Sequence, residues 1–160
     1  MTEIVRVRLV KSAILLSAFV ILLAVSGAAG AGDTAQEAKN KKLVLDMWQA
    51  VIVEASPEAV LKYISPDYKQ HNPIIAPGRE GLYKAVEKLQ EEISKTGKPH
   101  TTKKLLHAFA DGDLVALTWE DAVPDPQNPG KTYVTAAFDM FRLKDGKIVE
   151  HWDAVRKPNP

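Results

Sequence analysis

The stretch KTYVTAAFDMFRLKDGKIVEHWDAV, residues 131–155, decides the fold. Successive side chains of a strand point to opposite faces, so a period of two marks a strand. Here Val134, Ala136, Phe138 and Met140 alternate with Tyr133, Ala137 and Phe141, and Lys144-Asp145-Gly146-Lys147 interrupts the run. Asp-Gly between two strand-forming runs is a hairpin turn, because the tight turn needs positive φ at both central positions. The stretch therefore predicts antiparallel strands over 131–143 and 148–155. The first of them is apolar on both faces, whereas a sheet covered by helices on one side shows one polar face. Its second face calls for cover too, by another subunit or by a long loop.

The same pattern lies just upstream. Lys103–Ala110 and Leu114–Ala122 flank Asp111-Gly112-Asp113, and the proline-rich PDPQNPG at 124–130 links the two hairpins. Before Gly97 the period is helical. Leu43, Val44, Met47, Trp48 and Val51 give one buried face between Lys39 and Glu54. Ser56-Pro57-Glu58 opens a second, short helix, with Ser56 as its cap and Val60, Leu61 and Ile64 as its buried side. Ser65-Pro66-Asp67 ends it. A third helix runs from Arg79 to Lys95 with Leu82, Val86, Leu89 and Ile93 in one stripe. Helices first and then antiparallel strands make an α+β single domain.

The N-terminus stands apart from this domain. Arg6, Arg8 and Lys11 precede an uncharged run from Ser12 to Gly30, with the apolar core AILLSAFVILLAV at 13–25 and small residues at its exit. Those are the three parts of a secretory signal peptide, with cleavage expected after Ala31. The alternative is an uncleaved membrane anchor through residues 12–30. Residues 1–31 are thus the expected signal peptide and 32–160 the single domain, exported from the cytoplasm. The whole chain has 160 residues with Lys+Arg 21 against Asp+Glu 20. Removing Arg6, Arg8, Lys11 and Glu3 leaves 18 basic against 19 acidic groups. Such a balance offers no nucleic acid an electrostatic footprint. The absence of cysteine rules out disulfides, thiolate-held zinc, iron–sulfur clusters and cysteine nucleophiles.

Polar residues within apolar strands carry the chemical signal. Asp139 lies in Ala-Ala-Phe-Asp-Met-Phe, where an aspartate survives only if paired. On the last strand, alternation groups Val149, His151, Asp153 and Val155 on one face and Glu150, Trp152 and Ala154 on the other. Two aspartates and a histidine on hairpin-paired strands point to a site; the structural alternative is an aspartate neutralised by Arg142 or Arg79. A second polar cluster, Asp67-Tyr68-Lys69-Gln70-His71-Asn72-Pro73, lies on a loop or short strand before the third helix. His107 and Glu120 read as tolerated strand residues. A metal held by two histidines and a carboxylate lacks a tight spacing such as His-x-x-x-His, so no metal is expected.

Several of these motifs resemble a known family. QHNP at 70–73, PGRE at 77–80, DGDLVA at 111–116, FDMFR at 138–142 and DGKIVEHWD at 145–153 are similar to the SnoaL-like polyketide cyclases of the nuclear-transport-factor-2-like superfamily. The resemblance implies a curved, mostly antiparallel sheet wrapped by three N-terminal helices into a cone, a cystatin-like roll whose hollow is the ligand site. It implies Asp153 as the acid/base and His151 as its partner, with Asp139, Tyr68, His71 and Asn72 lining the pocket. The implied chemistry is aldol cyclisation or isomerisation of a small hydrophobic carbonyl compound, with no metal and no organic cofactor, in a homodimer. Abstraction of a proton next to a carbonyl needs a base against the carbon and a donor for the developing oxyanion, which carboxylate and imidazole can supply. The alternative on the same fold is a non-catalytic module that binds a hydrophobic ligand or dimerises.

Overall fold

The computed structural model describes residues 33–101 and 103–157. The leader expected at 1–31 and the anchor alternative at 12–30 lie outside the described residues. Among the described residues no helix is long and apolar enough to cross a membrane.

The first helix, α1 (Ala35–Met47), begins earlier than its apolar stripe because of its cap. Thr34 Oγ1 accepts the Glu37 N–H at 3.2 Å, and Glu37 Oε2 accepts the Thr34 N–H at 2.8 Å, a reciprocal capping box. The helix widens into a π-helical segment, Trp48–Val53, before α2 (Pro57–Tyr63). Ser56 caps α2 as expected, its Oγ accepting the Ala59 N–H at 3.2 Å. Val60 and Ile64, four residues apart, are buried, but Leu61 is half exposed and does not join them. In so short a helix the turn of 100° per residue carries position 61 past the buried arc.

The next segment departs from the sequence reading. Ser65-Pro66-Asp67 does not simply end the helix; the chain becomes strand β1 (Ile64–Gln70) before entering α3 (Gly78–Thr96). Proline is tolerated there because β1 is an edge strand, where one side of the backbone needs no ladder partner. Strands β2 (Lys104–Asp111), β3 (Leu114–Pro124), β4 (Thr132–Lys144) and β5 (Lys147–Asp153) follow as two hairpins. Asp145 and Gly146 both have positive φ, as the turn joining β4 to β5 requires. The sheet is open, with order β1-β5-β4-β3-β2; β1 runs parallel to β5 and the other pairs are antiparallel. The α+β class holds, as a mixed but mostly antiparallel sheet with its helices against one face.

Val44, Met47 and Val51 from the first helical stretch meet Val60, Ile64, Val86, Val115, Leu117, Phe141 and Ile148 in the core. The last strand differs from simple alternation. Arg142 pairs with Glu150 and Leu143 with Ile148, so Val149 is the extra residue of a bulge. Ile148, fully buried, therefore takes the inner side with His151, and Val149 loses the place that strict alternation gave it. The opposite face of β4 is open in the single chain: Val134 and Phe138 are 66% and 56% exposed.

Candidate active site

Strands β1, β3, β4 and β5 line one cavity of about 390 Å³ beneath the helices, β3 with Asp121 and Ala122. Strand β4 brings Asp139 and Phe141, and β5 brings His151 and Asp153, with Phe141 opposite His151 and Asp139 opposite Asp153 in the ladder. Strand β1 brings Tyr68 and Gln70, and the chain leaving it brings Asn72. Trp48, Val51 and Ile52 of the π-helical segment form apolar wall, joined by Ile64 and Leu82. A cavity with apolar walls and a few converging polar groups has the usual make-up of a small-molecule site.

The polar groups hold one another in a defined order. His151 Nε2 lies 3.0 Å from Asp139 Oδ1, and its Nδ1 lies 2.9 Å from Gln70 Oε1. Gln70 Oε1 also accepts the Asn72 backbone N–H at 3.0 Å, which fixes the amide with its oxygen towards the imidazole. An amide oxygen only accepts, so Nδ1 is the donor in the contact with Gln70. The second Asp139 oxygen accepts the Trp119 indole N–H at 2.7 Å. Asp139 is 6% exposed and His151 8%, so both are buried and both are satisfied. Phe141 stacks on the imidazole with centroids 4.7 Å apart, and Trp48 stacks on Trp119 at 4.2 Å. Asp139 is thus held by His151 and Trp119; Arg142 instead bonds Asp113 and Glu150, and Arg79 donates to the Ile64 carbonyl.

Asp153 sits differently. Its Oδ2 accepts from Asn72 Nδ2 at 2.5 Å and its Oδ1 from the Val155 N–H at 3.1 Å. It is less buried than Asp139 and has no cationic partner among the described residues. Tyr68 is 5% exposed; burial first, and then the charges of Asp153 and Asp139, push its phenol well above the ordinary tyrosine range. Asp139, His151 and Asp153 offer ligand atoms within 4.8 Å of one another and are the group that could hold a metal ion. A metal held by these three would compete with the Asp139–His151 hydrogen bond.

Of the six residues expected at the site, five line this cavity: Asp153, His151, Asp139, Tyr68 and Asn72. His71 does not. Alternation along β1 and its exit turns Tyr68, Gln70 and Asn72 inward and His71 outward. There its Nε2 bonds Glu150 Oε1 at 2.9 Å and its ring stacks on Trp152 at 5.2 Å. That hydrogen bond, chief among several influences, holds the Glu150 carboxyl below the ordinary glutamate range. Gln70 and Trp119 are the residues that sequence reasoning missed. The period of two through Tyr68, Gln70 and Asn72 would have found the first. An indole two places from Leu117 on a buried face, in need of an acceptor, was the signal for the second.

A family model described as a SnoaL-like domain matches residues 44–151. No curated protein matches the sequence significantly. Among solved structures, a candidate polyketide cyclase from Acidithiobacillus ferrooxidans is 24% identical, with 72% of this chain and 86% of that chain covered and a TM-score of 0.54. A candidate SnoaL-like polyketide cyclase from Jannaschia sp. is 17% identical over 78% of this chain and 92% of its own, with a TM-score of 0.54. A protein of unknown function with a cystatin-like fold from Xanthomonas campestris is 26% identical, covering 72% and 92%, with a TM-score of 0.51.

Proposed function

The chain belongs to the SnoaL-like domain family, and on that premise we propose that it is an exported, cofactor-independent acid/base catalyst for a small hydrophobic carbonyl compound. The reaction is an aldol cyclisation or an isomerisation, with Asp153 as the base. The observation that carries the reading is the division of labour between the two aspartates. Asp139 is committed to His151 and Trp119, whereas Asp153, bonded to an amide and a backbone N–H, keeps lone pairs for a substrate proton. His151, with its orientation fixed by Gln70 and Asp139, is placed to assist Asp153.

The test needs no knowledge of the natural substrate. Proton transfer next to a carbonyl is read by exchange of the α-protons of 1-indanone in D2O, followed by NMR. The wild-type chain is expected to speed exchange above the buffer rate, and Asp153→Asn to lower that enhancement by about 100-fold or more while the protein stays folded. Undiminished exchange in Asp153→Asn would remove Asp153 from the role.

Two further parts of the proposal concern the chain's surroundings. Residues 1–31 serve export, so the mature protein recovered from outside the cytoplasm begins at Gly32; an intact mass that includes the leader would favour the anchor alternative. The open apolar face of β4 supports a homodimer, in line with a strand apolar on both sides.

A further inference from the structure

Tyr68 is the buried polar group of the cavity that the base and its partner leave unused. It lines the cavity with Asp153 and is 5% exposed, yet among the described residues its hydroxyl has no hydrogen-bond partner. The polar side chains beside it on β1, β4 and β5 are bonded: Gln70 and Asp139 to His151, and Asn72 to Asp153. A hydroxyl that opens on the cavity with no protein partner is left to bond whatever enters it.

Its place in the fold is set by the strand that orders the rest. Tyr68 is two residues from Gln70, which positions His151, and four from Asn72, which holds Asp153; all three project to the inner side of β1. Burial and the two nearby carboxylates favour the neutral phenol, so the group facing the cavity is an O–H that donates. Beside two carboxylates, that donor suits an oxygen which gains negative charge only during the reaction.

We infer that Tyr68 Oη–H is the catalytic hydrogen-bond donor to the substrate's carbonyl oxygen, which makes the ligand a carbonyl compound presenting that oxygen to Tyr68 and its α-carbon to Asp153. The inference rests on the proton-transfer reading above and completes it. The α C–H bond breaks as its proton passes to an Asp153 oxygen. The C–H electron pair becomes the new carbon–carbon π bond, and the carbonyl π pair moves onto oxygen. The Tyr68 hydrogen bond strengthens as that charge develops. The sequence closes without oxidant or reductant in one of two ways: Asp153 returns the proton to carbon, or the enolate carbon attacks a second carbonyl of the same molecule, whose π pair moves onto its oxygen and takes the proton back from Asp153.

The experiment uses the full chain and two probes of one shape. 2-Naphthol carries an oxygen on a planar apolar frame as an enol does; naphthalene is the same frame without it. Fluorescence titration should show 2-naphthol binding about 10-fold or more tighter than naphthalene. Tyr68→Phe should erase this preference while keeping the naphthalene affinity, which serves as the control for an intact cavity. A Tyr68→Phe chain with the full preference, or a wild-type chain that does not distinguish the two probes, overturns the inference. A preference that depends on Tyr68, in a chain that exchanges no α-protons, supports the donor and overturns Asp153 as base, so the two readings fail separately.

Discussion

Glu37 shows how much one side chain can join. Its carboxylate closes the capping box of α1 and also accepts the Gly112 N–H at 3.0 Å from the turn between β2 and β3. These bonds, the one from Gly112 foremost, hold its pKa down at about 2. The unfolded chain takes up this proton near pH 4.5, whereas the folded chain resists until about pH 2. Stability from Glu37 is therefore complete above that window and drains away as the pH falls through it. Urea midpoints measured from pH 6 down to pH 2 should decline less steeply for Glu37→Gln than for the wild type; parallel curves would contradict the link. At this scale the sequence was most legible where a residue broke its surroundings. Asp139 stood out because nothing around it in the strand is polar. Trp119 did not, because an indole looks at home among apolar neighbours and only its N–H needs the buried carboxylate.

Strands and helices were legible in proportion to how local their causes are. The β4–β5 turn, the Ser56 cap and the stripe of α3 each follow from a few adjacent residues, and each is where the sequence puts it. The parallel partner of β5 is a different matter. Strand β1 contains a proline and little apolar alternation, and it is a strand because β5 offers an edge to pair with. Propensity carries no trace of such a partner. The bulge at Val149 is hidden for the same reason, since one extra residue changes the facing of its neighbours without changing composition. Two errors of facing resulted. Val149 was grouped with His151, and His71 was placed in the pocket although β1 turns it towards Glu150.

On the scale of the molecule, the face of the sheet away from the helices asks for a partner. Phe109, Ala116, Met140 and Trp152 fall in one row across β2 to β5, with His107, Thr118 and Phe138 in the next. Phe109 is 55% exposed and Phe138 56%, and the Thr118 hydroxyl is buried without a partner among the described residues. A patch of this kind on a single chain marks an interaction surface. On the proposal of a homodimer through this face, sedimentation should find the wild-type chain as a dimer at micromolar concentration and Phe138→Asp as a monomer with its fold intact. A monomeric wild type would set the proposal aside.

The parallel pairing of β1 with β5 also sets a timetable. Gln70 and His151 meet across 81 residues of sequence, and Asn72 reaches Asp153 over the same span. Contacts so distant carry the loop-closure cost that slows folding, whereas the hairpins close over only a few residues. The sheet's antiparallel part can thus form while the first strand is still unattached, and the cavity is finished only when the last seven-residue strand arrives. A ribosome would have to release the chain as far as Asp153 before any ligand found a pocket.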